Sequence, residues 1–304
     1  MHKFTLYLTF YLFLIFSPFT SYGQDIVVGG LSHEISNYKK WLDDKKCSDI
    51  KSYQSDYATK SSIQIMIICK ALHLGGIKAK LSFKSMPNYS RSLYEAQKGT
   101  IDIPADSIWQ SQIPKNHFYT ASPIFRQGEF QKGFFALPEK RKEIELKIKT
   151  NKLKGIEPLQ TLRDFTLITS ENWTFDLAAI KALELNYIST PKAENMCNMI
   201  KYGRGDLYLG ELIMIGNKKL IFNCNGLILE PIEGIKAAFI EPRHFVVSKM
   251  SLKGKEVYQA LHNGLNILRK TGEIEQAFYP ITHNKTIIDS WVDLLSPPPK
   301  EKQH

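Results

Sequence analysis

The chain has 304 residues, 43% hydrophobic and 23% charged, with a formal net charge of +10 at pH 7. Its length is near the upper limit for one hydrophobic core and predicts two lobes. The basic balance is not read as a nucleic-acid footprint. The lysines gather in Lys140-Arg141-Lys142 and Lys147 to Lys154 with glutamates close by, the pattern of a solvated face.

Residues 1–23 read as a cleavable export signal. His2 and Lys3 precede an apolar run from Phe4 to Phe16, Ser17-Pro18 break it, and Ser21-Tyr22-Gly23 supplies the small residues of a cleavage site. The run falls short of the roughly 20 residues a membrane span needs. Gln24, not Cys, follows the cut, so no lipid attachment and no stable membrane anchor are expected. Export followed by release is the expectation.

Asp25 to Gly30 is a strand running into glycines. Ser61 or Ser62 caps a helix that runs to about Leu74 and stops at Gly75-Gly76. Lys78 to Phe83 alternates as a strand does. A helix capped by Asn88 or Ser90 follows, and then a strand over Thr100 to Ala105. This β-α-β-α-β order implies a parallel sheet with right-handed crossovers. Glu129 to Leu137 is a long strand-like run, and the lysine-rich stretch 139–156 reads as a surface insertion. The alternation then resumes: strand 165–169, helix 174–185, strand 187–190, helix 193–202, strand 206–209. Strand-like segments follow at 220–222, 227–229, 235–240 and 244–248.

Near the C-terminus, Val257, Leu261, Leu265 and Leu268 fall on one helical face. A short helix carries Ile274 and Phe278, and a third carries Ile287, Trp291 and Leu294. Pro297-Pro298-Pro299 and the charged tail are expected to be disordered.

One pattern occurs twice. Residues 91–109 and 193–211 each read helix, glycine, aspartate, strand, and then a polar group at the strand's end. In open α/β sheets ligands sit beyond the carboxyl ends of the strands, so two such units facing each other make a cleft.

An ordered set of elements now resembles the solute-binding proteins of ABC transporters related to polar amino-acid binders (bacterial solute-binding family 3). The set comprises Ile26-Val27-Val28-Gly29-Gly30; Pro87 to Leu93 before Gly99-Thr100-Ile101-Asp102; and Tyr119 with Ser122-Pro123. It continues with Leu162-Arg163-Asp164-Phe165, Gly203-Arg204-Gly205-Asp206, Phe245 to Lys249, and the helix ending at Gly272.

The resemblance implies an α/β, type II periplasmic-binding-protein-like fold. Each lobe is a mostly parallel sheet flanked by helices, and two crossover strands join them. Lobe 1 would be about 24–127 plus 238–304, and lobe 2 about 128–237. The implied function is a monomeric periplasmic receptor that closes on a small polar or zwitterionic, amino-acid-like solute and delivers it to an inner-membrane ABC permease. No cofactor and no metal are implied. The alternatives are a dehydratase-like enzyme on the same scaffold and a ligand-delivering partner of a membrane sensor.

The family's acidic anchor for an α-amino group falls on Glu211. Its carboxylate-binding turn falls on Asn172-Trp173-Thr174, where free N–H groups at a helix start suit an anion. The carboxylate-clamping arginine of amino-acid binders has no counterpart. Its place falls near Pro114 and Lys115, and no Arg stands between Asp102 and Arg126. Trp109 occupies a loop position where a small hydroxyl residue is usual. A ligand other than a plain α-amino acid is therefore expected.

Trp109 and Trp173 are each read either as a stacking wall for the ligand or as plain lobe packing. Arg91 is read either as a replacement guanidinium or as a partner of local carbonyls or of Asp106. With this lobe division each lobe holds two of the four cysteines. Bridges within lobes, Cys47–Cys69 and Cys197–Cys224, leave the hinge free; a buried thiol at Cys69 is the other reading.

Other chemistry is poorly supported. Ser189-Thr190-Pro191-Lys192 and Lys270-Thr271-Gly272 match two elements of penicillin-recognising enzymes, but the third is missing. The eight histidines lack zinc-ligand spacing, and the cysteines lack CxxC spacing. Asp43-Asp44 are read as adjacent helix residues pointing apart.

Overall fold

The computed structural model describes residues 25–78, 80–212, 220–224, 226–279 and 282–296, without the side chains of 282–284. The proposed signal segment and the tail beyond 296 lie outside them.

The first half contains β1 (Asp25–Leu31), α1 (Ser32–Leu42), α2 (Lys60–Leu74), β2 (Lys80–Met86), α3 (Tyr89–Gln97), β3 (Ile103–Pro104), β4 (Ile108–Trp109) and β5 (Phe118–Phe125). β1 pairs in parallel with β2 from Asp25↔Lys80 to Leu31↔Met86, and on its other edge with β3 at Val28↔Ile103. The order is β2-β1-β3, so the chain passes over β1 on its way from β2 to β3. Helix α2 is apolar all round: Ile63, Ile65, Met66, Ile67, Ile68 and Leu72 are fully buried. Such a helix belongs inside a domain, and it packs against α1, α8 and α9.

Thr59, not Ser61 or Ser62, caps α2. Its hydroxyl accepts from the Ser62 N–H, and the Ser62 hydroxyl accepts from the Thr59 N–H. Asn88 caps α3, accepting from the Arg91 N–H at 2.8 Å. The strand expected over 100–105 shrinks to Ile103–Pro104 because the Asp102 side chain takes over the pairing with β1. The helix read at Asp43-Asp44 is α1, which ends before them; it buries only Ile35, Tyr38 and Trp41, a narrow stripe. Asp43 and Asp44 both have left-handed backbones (φ 47° and 60°) that end α1, so they are not helix residues.

The second half contains β6 (Phe130–Ala136), α4 (Pro138–Lys152), α5 (Pro158–Leu162), β7 (Leu167–Ser170), α6 (Thr174–Ala182), β8 (Tyr187–Thr190), α7 (Met196–Lys201), β9 (Leu207–Glu211), β10 (Phe222–Cys224), β11 (Leu227–Pro231) and β12 (Ile235–Phe239). They form one sheet, β10-β11-β6-β9-β7-β8, with β12 added along β6. The stretch read as a surface insertion is largely α4, which starts at Pro138. Ile144 buries itself, and Arg141 binds Glu145, Glu230 and Glu233, tying the helix over the sheet.

The chain then returns through β13 (Arg243–Ser248), which lies between β4 and β5. Next come α8 (Gly254–Lys270), α9 (Glu273–Phe278), α10 (Thr282–Asp289) and β14 (Val292–Asp293). Trp291 and Leu294 lie beyond α10, not on a third amphipathic helix. β14 pairs in parallel with β12, Ile235↔Val292, so the C-terminal end rejoins the larger sheet.

The chain crosses between the first half and the larger sheet at 126–129 and 240–242. The strands leading into these crossings pair antiparallel, Phe130↔Phe239 and Gln131↔Ala238. Disulfides join Cys47 to Cys69 and Cys197 to Cys224, each within one half. Among the described residues no helix is long and apolar enough to cross a membrane.

Candidate functional site

Beyond the carboxyl ends of β3 and β9, side chains from both halves meet. Trp109 ends β4 and sits opposite Arg243 of β13 in the register. Its indole stacks on Phe175 of α6 with centroids 4.4 Å apart, meets Phe130 edge-on at 5.3 Å, and tilts against Phe239 at 5.4 Å. Offset and edge contacts of this kind suit the ring quadrupoles. Beside this stack, Gln112 Nε2 donates to Thr174 Oγ1 at 3.3 Å, a second contact from one half to the other.

The Arg243 guanidinium lies over Trp109 at 4.6 Å and Phe130 at 4.8 Å. Its Nε donates to Ser107 Oγ at 3.1 Å and its Nη2 to the Ser107 carbonyl at 2.5 Å. No carboxylate of the described residues lies within ion-pair distance of it. Sequence spacing placed no arginine here because the guanidinium arrives from β13, far along the chain. The available signal was a single arginine at the head of an otherwise apolar strand run.

Glu211 ends β9 and forms an ion pair with Lys60, the first residue of α2, at 2.7 Å. Lys60 also lies over the Phe130 ring at 5.9 Å. Burial pushes the Glu211 carboxyl up, but Lys60, Lys132 and Arg243 outweigh it and hold the group below the usual carboxylate value. Lys132 of β6 is buried against Asp176 at 2.6 Å, in the first turn of α6. The Lys132 ammonium lies 5.4 Å from the Trp173 ring. Such a pair costs more to break than it contributes as a whole, because either partner alone would be an uncompensated buried charge.

Asp106 accepts from the Ser61 hydroxyl at 2.6 Å, with no cation of the described residues within ion-pair distance. Tyr89, at the start of α3, has a buried hydroxyl without a hydrogen-bond partner. Burial pushes its phenol up to about 12, with Arg243 pulling it down and Asp106 pushing it up. Both charges therefore act on the Tyr89 hydroxyl.

Of the residues expected from sequence, Trp109, Glu211, Asp106, Trp173 and Thr174 gather in this region. Asn172 lies at its exposed edge, where its amide donates to the Pro191 carbonyl at 3.0 Å. Arg91 does not join them. It pairs with Glu95 on its own helix at 2.6 Å and lies over Tyr94, while Asp106 takes Ser61 as its partner. Lys60, Arg243, Lys132, Phe175, Gln112 and Tyr89 were not anticipated, because each reaches the region from a separate element. Two surface cavities, of about 280 and 330 Å³, lie elsewhere: one beside Lys70 and Glu273, one beside the 126–129 crossing.

No family model matches the sequence, and no curated protein matches it. Solved structures do. The probable amino-acid ABC transporter extracellular-binding protein YtmK of Bacillus subtilis superposes with a TM-score of 0.53 at 14% identity, covering 85% of this chain and 97% of that one. AbpA of Streptococcus pneumoniae, an amino acid ABC transporter substrate-binding protein bound to L-arginine, gives 0.50 at 14% identity, covering 86% and 95%. An ancestral cationic amino acid solute-binding protein gives 0.50 at 14% identity, covering 84% and 94%. The chain has the two-lobed α/β fold of these solute-binding proteins.

Proposed function

We propose that the chain is a periplasmic receptor that closes its two lobes on a small polar or zwitterionic solute and presents the closed form to an ABC permease. The observation that carries this reading is the convergence of charged and aromatic side chains from both halves between the carboxyl ends of β3 and β9. Trp109 stacks on Phe175, Gln112 donates to Thr174, and Lys60 pairs with Glu211. The structural neighbours are transport binding proteins, which fits a receptor that releases its ligand unchanged. Lobe 1 is taken as about 24–127 with 238–304, and lobe 2 as about 128–237, with the terminal strand β14 lent to the lobe 2 sheet. Closure is then a population shift driven by contacts that a ligand makes with both lobes.

A thermal-shift screen of amino acids, polyamines, small organic acids and short peptides, followed by calorimetry, tests this. The expected result is a saturable shift and one-to-one binding by one class. Trp109→Ala should weaken the best solute at least about tenfold, roughly 1.4 kcal/mol. No shift from any solute, or conversion of a bound solute to product, would overturn the receptor reading.

A further inference from the structure

Helix α4 carries more apolar surface than its place in the fold requires. Its inner face holds Ile144, which is buried, and Ile148, which packs against the core. Arg141 ties the helix down through Glu145, Glu230 and Glu233. Leu146 and Leu153 lie on the other side, 66% and 85% exposed. Seven positions apart, they stand almost in line, because Leu153 keeps a helical backbone at the cap. A lone exposed leucine is ordinary. Two on one stripe, turned away from the face that packs, are surplus to folding.

The charges around that stripe are mostly of one sign. Residues 138–155 carry seven lysines and arginines against three glutamates. Lys140 is held by Glu143, and Lys147 by Asp164 at 2.9 Å. Lys142, Lys149, Lys152 and Lys154 are exposed and have no ion-pair partner among the described residues. Lys142 and Lys149 flank Leu146 at helical spacing, and Lys152 and Lys154 are the chain neighbours of Leu153. The placement is also distinctive. Asp164, the partner of Lys147, stands three residues before β7, and Asp206, 3.6 Å from Lys140, directly precedes β9. Trp173 and Glu211 lie at the carboxyl ends of those same strands, so a surface laid against α4 does not cover them.

We propose that the outer stripe of α4 is an interfacial docking surface for an anionic phospholipid bilayer. Leu146 and Leu153 enter the headgroup boundary, and the four unpaired lysines meet lipid phosphates. A second copy of the chain fits poorly, because two such basic faces repel. A soluble polyanion would use the lysines and leave the leucines bare. With only two leucines inserted the contact is reversible and salt-sensitive, as suits a chain with no stable anchor. This inference goes beyond the receptor reading and does not depend on it.

The test uses the chain from Gln24, because the apolar run of the proposed export signal would itself enter a bilayer. Co-sedimentation is measured with vesicles of phosphatidylcholine alone and of phosphatidylcholine mixed with phosphatidylglycerol. Binding is expected on the mixed vesicles only, and raised salt should release it. Lys149→Gln and Leu146→Ser should each lower partitioning about fivefold, with unchanged melting temperatures because both side chains are exposed. Leu252→Ser, on an exposed leucine of the first half, should change nothing.

Absence of binding, or equal binding to both vesicle types, would overturn the inference. So would lysine variants that lose binding while Leu146→Ser and Leu153→Ser keep it, since the face would then serve a soluble polyanion or an acidic protein. Loss with Leu252→Ser but not with Leu146→Ser would move the contact to the other half and overturn it too. A chain that binds these vesicles but no solute keeps this inference and loses the receptor reading; the reverse result does the opposite.

Discussion

The two helix–glycine–aspartate–strand units perform one structural task in the same way. Asp102 donates its N–H to the Val27 carbonyl at 2.8 Å, and its carboxylate accepts the Val27 N–H at 2.7 Å. Asp206 repeats both bonds with Thr166, at 2.7 and 2.9 Å. Each aspartate thus braces a neighbouring segment of its own half. The units differ in what surrounds the brace. Asp102 is buried and also accepts from Ser251 Oγ at 2.5 Å, with Lys253 at 3.4 Å. Asp206 is more exposed, and its nearest cation is Lys140 at 3.6 Å. The repeat therefore encodes the scaffold. The proposed ligand contacts lie past the aspartates, at Asp106 to Trp109 in one half and Glu211 in the other.

The parallel can be broken or sharpened experimentally. The largest expected effect treats the lobes alike: the disulfides close stretches of similar sequence separation, 22 and 27 residues. Replacing either cystine by two alanines should cost about 3 kcal/mol in the chain-entropy account, read from urea unfolding. A difference above about 1 kcal/mol between the two would show that one lobe contributes more than loop closure.

Next comes the brace. Asp102→Ala should cost about 2–3 kcal/mol and Asp206→Ala about 1 kcal/mol, since a buried charged acceptor with several donors loses more than a half-exposed one. Equal costs would sink the claim that their surroundings differ energetically.

The glycines are a finer test. Gly99 and Gly203 both have left-handed backbones, φ 74° and 65°. A methyl group on Gly99 would come within 2.9 Å of the Met250 Cβ and 3.2 Å of its backbone, whereas on Gly203 it would meet nothing within 4 Å. Gly203→Ala should cost about 1 kcal/mol from backbone strain alone, and Gly99→Ala more. Melting temperatures would rank them, and the reverse order would contradict the packing difference.

The smallest effects concern pH. Burial lowers the His244 pKa in lobe 1, only partly opposed by its bond to the Ala121 carbonyl. The unfolded chain therefore binds that proton more readily, so stability is full above the ordinary histidine pKa of about 6.5 and declines as pH falls below it. The depressed Glu211 carboxyl adds stability that is present above the ordinary carboxylate pKa of about 4.3 and lost as pH falls through its folded value. His244→Asn should flatten the fall in melting temperature between about pH 6.5 and 5, while Glu211→Gln should lower stability above about pH 5 uniformly and change the slope only below it. If Glu211→Gln changed the slope near pH 6, that division would fail.

Local patterns were legible wherever one element sufficed to express them. The parallel β1–β2 unit, the stop of α2 at Gly75, the Asn88 cap and the apolar face of α8 all follow from spacing and end chemistry within a few residues. Errors arose where a neighbour distant in sequence decided the outcome. The 100–105 strand is cut short by a side chain bonding to β1, and the lysine-rich stretch is a helix because Arg141 and Ile144 find partners on the sheet. The site divides in the same way. Glu211 and Trp109 were visible as polar and aromatic groups at strand ends, but their partners Lys60, Arg243 and Phe175 were not.

By itself the sequence determined the α/β alternation and the duplicated helix–glycine–aspartate–strand unit. These depend on hydrophobic period, caps and glycines, which act over one or two turns. Only the tertiary structure decided which charges are satisfied. Ion pairing depends on distances of a few ångströms between residues far apart in the chain, 151 positions for Lys60 and Glu211 and 203 for Lys70 and Glu273. The Arg243 guanidinium on β13 and the Lys60 ammonium on α2 both act on Glu211 from far along the chain, and nothing in their local sequence announces it.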